Sequence, residues 1–204
     1  MKLNIRTTPK NEFRQTENLT QEAFWNIYKP GCDEHFVLNQ LRKSKSYVRG
    51  LDLLAMTDNQ MVGHIISTKA KVIDSQNTTH TVLCIGPLSV SPEFQKKGIG
   101  SKLMEASVKK AKESGFAGMI LFGNPDYYHR FGFKNAAIYR ITTKEDQNFE
   151  AFMALETEEN SLSGVSGRFY EDEAFSVDPA ELAEFEKQFP FREKRITETQ
   201  FKQD

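Results

Sequence analysis

TVLCIGPLSVSPEFQKKGIGSKL, residues 81–103, is the stretch from which the architecture of this chain is read. Thr81–Val90 is an apolar run and reads as a buried strand, with Gly86-Pro87 marking a bulge or splay rather than an uninterrupted ladder. Ser91–Lys97 is a polar loop. Gly98-Ile99-Gly100 then opens a helix, because Gly100, Leu103, Met104, Ser107, Val108 and Ala111 recur along one helical stripe. Glu105 and Lys109 pair one turn apart on the other face, and Gly115 is the expected stop. Ala117–Phe122 is a second short apolar strand. Strand, loop, helix and strand within about 40 residues match a right-handed crossover, so the two strands are expected to be parallel.

Outward from this unit the chain alternates helix and strand. Leu3–Arg6 reads as a strand and Thr8-Pro9 as a helix start, with helical stretches over 10–18 and 20–28 broken by Lys29-Pro30-Gly31. A further helix runs from Asp33, as its cap, through Arg42. Leu51–Met56 and Met61–Ile73 are strand-like, joined by a hairpin turn at Thr57-Asp58-Asn59-Gln60. On the C-terminal side, a short helix Asp126–Phe131 stops at Gly132, strands are expected over Ala136–Thr142, Glu150–Leu155 and Arg168–Phe175, and Asp178 caps a helix from Pro179 with Glu181 three residues on. The expectation is one α/β (α+β) domain. Its sheet is mixed but mostly antiparallel, with one central parallel crossover and helices on both faces.

Bulk composition excludes several classes. The 204 residues are 38% hydrophobic and 27% charged, with a net charge of -1 and a mean hydropathy of -0.56, which is ordinary globular material. Near-neutrality argues against bulk attraction to nucleic acid or an anionic membrane. Neither an apolar leader core nor a membrane-length apolar run is present, so a cytoplasmic location is expected. Cys32 and Cys84 have no redox or metal spacing, and no metal is assigned to His35, His64, His80 or His129. The neutral total hides an asymmetry. Residues 144–186 hold 13 acids against Lys144 and Arg168, a local charge of −11 that leaves +10 elsewhere.

A strand ending in a glycine-bearing loop that opens a helix is a device for holding phosphate. Glycines allow close backbone approach, successive N–H groups converge, and the helix N-terminus adds partial positive charge. A Walker A loop fails here because Ser101 precedes Lys102, and a dinucleotide fingerprint fails because Leu103 stands where a third glycine is needed. Gln95-Lys96-Lys97-Gly98-Ile99-Gly100 matches Q/R-x-x-G-x-G/A, and Asn124…Tyr128…Gly132-Phe133 follows. On these residues the chain resembles the GNAT superfamily of N-acetyltransferases from about Ile5 to Leu155. The segments Gly86-Pro87-Leu88-Ser89-Val90 and Gly123-Asn124-Pro125-Asp126-Tyr127-Tyr128-His129-Arg130-Phe131-Gly132-Phe133 are similar to its YhbS-like branch.

The resemblance implies that acetyl-CoA is the cosubstrate and that its acetyl group passes to an acceptor, a small-molecule or peptide amine, by direct attack in a ternary complex. It implies that backbone groups of Leu88, Ser89 and Val90 pair with the pantetheine arm. N–H groups from Gln95, Lys96, Lys97, Gly98, Ile99, Gly100 and Ser101 would cradle the pyrophosphate, with the Lys96 and Lys97 charges in reach. Asn124 would bond the arm or hold the loop, and Tyr128 would protonate the leaving thiolate. The competing structural readings are that Tyr128 is a core aromatic, that Asn124 is turn chemistry and that the lysines are solvated surface. Glu93 is a conceivable base, although a glutamate in a Ser-Pro-Glu turn is more often structural. An acyl-CoA-binding module without turnover is the alternative function. Residues 1–157 are expected to form the acetyltransferase domain and 158–204 an acidic extension packed on it. A negative C-terminal rim would favour cationic acceptors.

Overall fold

The computed structural model describes residues 2–200. Its sheet is organised by a long hairpin, β2 (Tyr47–Thr57) and β3 (Gln60–Ile73), whose turn residues Asp58 and Asn59 both adopt positive φ, 48° and 61°. Two left-handed residues between strands match the twist of a two-residue hairpin, and Asp and Asn tolerate that conformation best among side-chain-bearing residues. β1 (Asn4–Thr7) pairs antiparallel with β2, and β4 (Thr79–Val90) pairs antiparallel with β3. β5 (Gly118–Phe122) lies parallel to β4, as the crossover through α3 (Ile99–Glu113) requires. The order continues to β8 (Phe152–Glu156) and β6 (Lys134–Asn135), both antiparallel to their neighbours. β9 (Gly167–Tyr170) pairs with the far end of β3 through residues 71–73 and lies parallel to β7 (Ile141–Thr142).

Both faces of the sheet are covered, so its strands alternate between two cores. Leu53, Ile65, Leu83, Met119, Leu121 and Met153 pack with Leu103 and Met104 of α3 on one face. On the other, Cys84, Ile120, Phe152 and Phe169 form one cluster, while Ile66 packs against Val37, Leu38 and Leu41 of α2 (Glu34–Lys43). α1 (Phe13–Phe24) lies on this second face, where Thr20 Oγ1 is 3.0 Å from Ser89 Oγ of β4. α5 (Pro179–Glu186) closes over α2, with Phe185 and Phe189 packed on Phe36. Asp178 accepts from Ala180 N and Glu181 N at its start, which is the cap expected there.

The sequence expectations fail in four local places. The two helices expected over 10–18 and 20–28 are one helix, Phe13–Phe24, preceded by a 3-10 turn at Lys10–Glu12. Asp33 precedes α2 without a side-chain cap, because its carboxylate is paired with Lys29. Ala136–Thr142 is mostly a 3-10 turn. The side chain of Asn135 accepts from Ala137 N and Arg140 turns left-handed, leaving only Ile141–Thr142 extended. The strand expected over Arg168–Phe175 ends at Tyr170, because Asp172 caps a 3-10 turn at Glu173–Phe175.

A buried polar knot ties the helical layer to the sheet. Asp52 of β2 accepts from Arg42 of α2 at 2.9 and 3.2 Å and from Tyr47 Oη at 3.1 Å, and lies 2.7 Å from His64 Nε2. Arg42 also donates to Thr16 Oγ1 and to the carbonyl of Phe13 on α1, and its guanidinium stacks on the Phe13 ring at 3.9 Å. Burial raises the cost of the Asp52 charge, but the hydrogen bonds from His64 and Arg42 outweigh it and hold the carboxyl well below its ordinary range. Burial keeps His64 neutral, so Nε2–H donates to Asp52. His64 is opposite Ser89 in the β3–β4 ladder, so the knot sits beneath the strand segment that opens the site.

Candidate active site

β4 and β5 pair only at Leu83↔Met119 and Cys84↔Ile120. Beyond Cys84 the strands part, while β4 stays bonded to β3 through Leu88↔Ile65, Ser89↔His64 and Val90↔Gly63. A V-shaped gap therefore opens, with one edge of β4 facing it. The gap is the centre of a cleft of about 1550 Å³ lined by Leu88, Ser89 and Val90 along one side. At one end lie Gln95, Lys96, Gly98, Ile99, Gly100 and Ser101. Asn124, Tyr127, Tyr128 and Arg130 close the facing wall. The sequence-derived residues are thus brought together, with one partial exception. Lys97 donates Nζ to the carbonyl of Glu93 at 2.8 Å and rests over the Phe94 ring, so its charge is engaged outside the cleft lining.

Gly98 takes φ 80° and Lys96 φ 60°, two left-handed residues just before α3 begins, and backbone of this kind can present neighbouring N–H groups to an anion. Open space surrounds Gly98, so its glycine serves conformation. Gly100 is different, because a Cβ there would lie 2.7 Å from Tyr127 Oη. Tyr127 bonds Ser101 and carries the Arg130 guanidinium over its ring at 4.1 Å. Tyr127 and Arg130 are therefore site residues for which sequence reasoning gave no role, although the Tyr-Tyr-x-Arg run contained them.

Tyr128 ends α4 (Pro125–Tyr128), a short helix that Asn124 caps by accepting from Asp126 N at 2.9 Å. Asn124 therefore does turn chemistry with its oxygen while still lining the cleft. The Tyr128 ring packs edge-on against Tyr127 at 5.0 Å and Phe133 at 5.9 Å. A Cβ on Gly123 would lie 2.3 Å from that ring, so this glycine allows the ring its position. Burial, with smaller contributions from Tyr127 and Tyr28, pushes the Tyr128 hydroxyl up to about 12. It is a neutral donor throughout the physiological range.

The far end of the cleft runs between α1, α2 and the segment after β9. Phe24, Tyr28, Glu34, Phe122, Glu171 and Phe175 line it. Most of the acidic segment lies elsewhere. Asp146 pairs with Arg168, Glu158 with Lys112, Glu184 with Lys187 and Glu186 with Lys194, while Asp172 bonds Ser44.

Residues 11–133 match the acetyltransferase (GNAT) family. A curated relative, the uncharacterized N-acetyltransferase YhbS of Escherichia coli (strain K12), is 26% identical over 118 residues, 57% of this chain and 69% of that protein. YjhQ of the same strain, also an uncharacterized N-acetyltransferase, is 30% identical over 97 residues, 48% of this chain and 53% of that one. The crystal structure of YhbS from Escherichia coli in complex with CoA superposes with a TM-score of 0.76 at 23% identity, covering 86% of this chain and 92% of that one. A GNAT family acetyltransferase from Brucella melitensis in complex with acetyl-CoA gives 0.67 at 24% identity, covering 86% and 99%. At these identities the two structures establish a shared fold.

Proposed function

The chain belongs to the acetyltransferase (GNAT) family, and on that premise we propose that it transfers an acetyl group from acetyl-CoA to a primary amine by direct attack in a ternary complex. The observation that carries the proposal is the parted β4 edge running straight into the left-handed Lys96–Gly98 loop at the start of α3, with Tyr128 facing it in the same cleft. The residues present fit the cosubstrate. A strand edge suits the amide-bearing pantetheine arm, and the loop together with the Arg130 guanidinium suits phosphates. Acetyl-CoA supplies an activated thioester.

The protein's own groups do the rest. Backbone groups of Leu88 and Val90 on the open edge of β4 orient the arm and an N–H there stabilises the oxyanion, while the Ser89 N–H points to β3, as does that of Ser91, which donates to the carbonyl of Val62. N–H groups from Gln95 to Ser101 hold the pyrophosphate, and Lys96 and Arg130, which line the cleft, add charge around it. Asn124 fixes the loop that carries Tyr128, and Tyr128 protonates the departing thiolate. Residues 1–157 are taken as the acetyltransferase unit and 158–204 as an extension, and the packing of its described part on that unit is supported by β9 pairing with β3 and by Phe185 and Phe189 packing on Phe36.

Gly100→Val tests the cofactor site. Its Cβ would lie 2.7 Å from the Tyr127 hydroxyl at the start of α3, so Tyr127 or the loop must shift. Acetyl-CoA affinity measured by calorimetry should fall by at least tenfold, about 1.4 kcal/mol. Unchanged affinity would place the cofactor elsewhere. Release of free thiol with a panel of amines separates transfer from binding without turnover.

A further inference from the structure

We propose that the acceptor is a primary ammonium carried on an apolar, ring-sized body, and that Glu34 is the base that takes its proton before attack. The inference rests on the acetyltransferase reading and names the acceptor class and base of that same cleft. Two walls define the acceptor end. One is the α1–α2 side, where Phe24, Tyr28 and the first turn of α2 line the cleft, Glu34 and Val37 being one turn apart. The other is the β5–β9 side, where Phe122 is 45% exposed at the cleft although it is a large aromatic. Phe122 is held rigid by near-parallel stacking on Phe152 at 5.0 Å and on Phe149 at 6.0 Å. Exposed, prepositioned aromatic faces on both sides of a gap attract an apolar body, and their quadrupoles also favour a cation. Phe175 closes the end and packs against both cores of that face.

The charges in this part of the cleft are negative. Glu34 lines it in the first turn of α2, and Glu171, just past β9, lines it with a partly buried carboxyl that lies 4.0 Å from Cys84 Sγ. The neighbouring Lys29 is committed to Asp33. An anionic acceptor would be repelled, and an ammonium drawn in. Such an acceptor must lose a proton to become a nucleophile. Glu34 is suited to take it, because burial raises its carboxyl to about 7, against its own backbone hydrogen bond and Lys29, with Asp33 adding to the rise. The other titratable groups around it are Cys32 and His35, which are neutral and buried, and Glu186, which is paired with Lys194.

The balance is simple. Glu34 carboxylate accepts one proton from the ammonium and releases it to solvent through the open cleft. The amine nitrogen forms the new C–N bond, the C–S bond breaks, and Tyr128 protonates the sulfur. The second nitrogen proton returns to the Tyr128 oxygen. Net, one ammonium and one thioester give one amide, one thiol and one proton.

The test uses the full chain with 2-phenylethylamine, ethylamine and phenylalanine as acceptors and free thiol as the readout. 2-Phenylethylamine should show kcat/KM at least tenfold above both ethylamine, which lacks the ring, and phenylalanine, which adds a carboxylate. Its kcat/KM should fall as pH drops below about 7, where Glu34 becomes protonated. Glu34→Gln should lower kcat/KM at least tenfold and abolish that acid limb, and Glu34→Asp should partly restore both. Calorimetry of 2-phenylethylamine into the CoA-loaded protein should show binding that weakens with salt, and less steeply in Glu171→Gln. Equal kcat/KM for the three amines, no transfer to any of them, or an unaltered acid limb in Glu34→Gln would overturn the proposal. Failure of the broader acetyltransferase reading is distinguishable, because then the parent protein would either not bind acetyl-CoA or bind it and release no thiol with any amine of a wider panel.

Discussion

Tyr128→Phe should lower kcat on an acetylated amine by about 10²–10⁴-fold while leaving acetyl-CoA affinity within a factor of about three, the range proton transfer by a positioned side chain typically contributes. The substitution keeps the ring that packs on Phe133 and Tyr127 and deletes only the hydroxyl. A thiolate near 8.5 is a weaker base than the phenolate that Tyr128 would leave, since burial pushes its hydroxyl up to about 12. Proton delivery is therefore uphill in isolation. It becomes feasible because the attacking nitrogen sheds its second proton in the same step. Two consequences are measurable. Tyr128 should impose no alkaline limb on kcat below about pH 11, and Gly123→Ala, whose Cβ would sit 2.3 Å from the ring, should reproduce much of the kcat loss by displacing it. A Tyr128→Phe enzyme with parental kcat would return this residue to the core.

The part of the fold that was legible is the part written in local chain grammar. Gly86-Pro87, Gly98 and Gly115 punctuate the crossover, and the α3 stripe from Gly100 to Ala111 is unambiguous because those positions face one core. The first helix was harder. Its inward face carries Thr16, Glu17, Thr20 and Gln21, all buried, so no apolar stripe bridged the two halves. Those polar residues are buried because partners far away in sequence satisfy them, as Ser89 does for Thr20 and Arg42 for Thr16. Ala136–Thr142 looked like a strand from its apolar content, but an Asn135 cap outbid β propensity. The same logic applies to the site. The phosphate loop is contiguous in sequence and was readable. Glu34, Phe122 and Glu171 meet only in the folded cleft, and nothing in their spacing announces it. Of the thirteen acids in residues 144–186, Glu171 alone lines the cleft, and where the others lie depends on the fold rather than on local spacing.

The Asp52–Arg42–His64 knot is the place where one substitution should do most damage to stability. Asp52 is fully buried and the Arg42 side chain is 3% exposed, so Asp52→Ala leaves a buried guanidinium without its main counter-charge. Breaking a buried pair from one side costs about 3–5 kcal/mol. Glu17, 3.7 Å from Arg42, moderates the loss without replacing the two hydrogen bonds that Asp52 accepts from Arg42. Urea unfolding should show that cost at pH 7. The double variant Asp52→Leu with Arg42→Met should lose less than the sum of the single changes, because no unpaired charge remains. The sign of the pH dependence follows from the same contacts. The carboxyl of Asp52 is depressed in the folded protein, so its stabilisation is full above the ordinary carboxylate range and disappears as pH falls through and below about 4. His64 and His35, the latter lowered to about 4, are kept neutral mainly by burial. Their unfolded forms gain a proton below about 6.5, so they too withdraw stability on acidification, and they begin earlier. The parent should therefore lose stability steadily from pH 7 to pH 3. Asp52→Ala should keep the histidine part of that slope between pH 6.5 and 4.5 and lose the carboxylate part below it. A parental acid slope below pH 4.5 in Asp52→Ala would mean that other carboxylates, not this knot, hold α1 and α2 to the sheet beneath the acceptor end of the cleft.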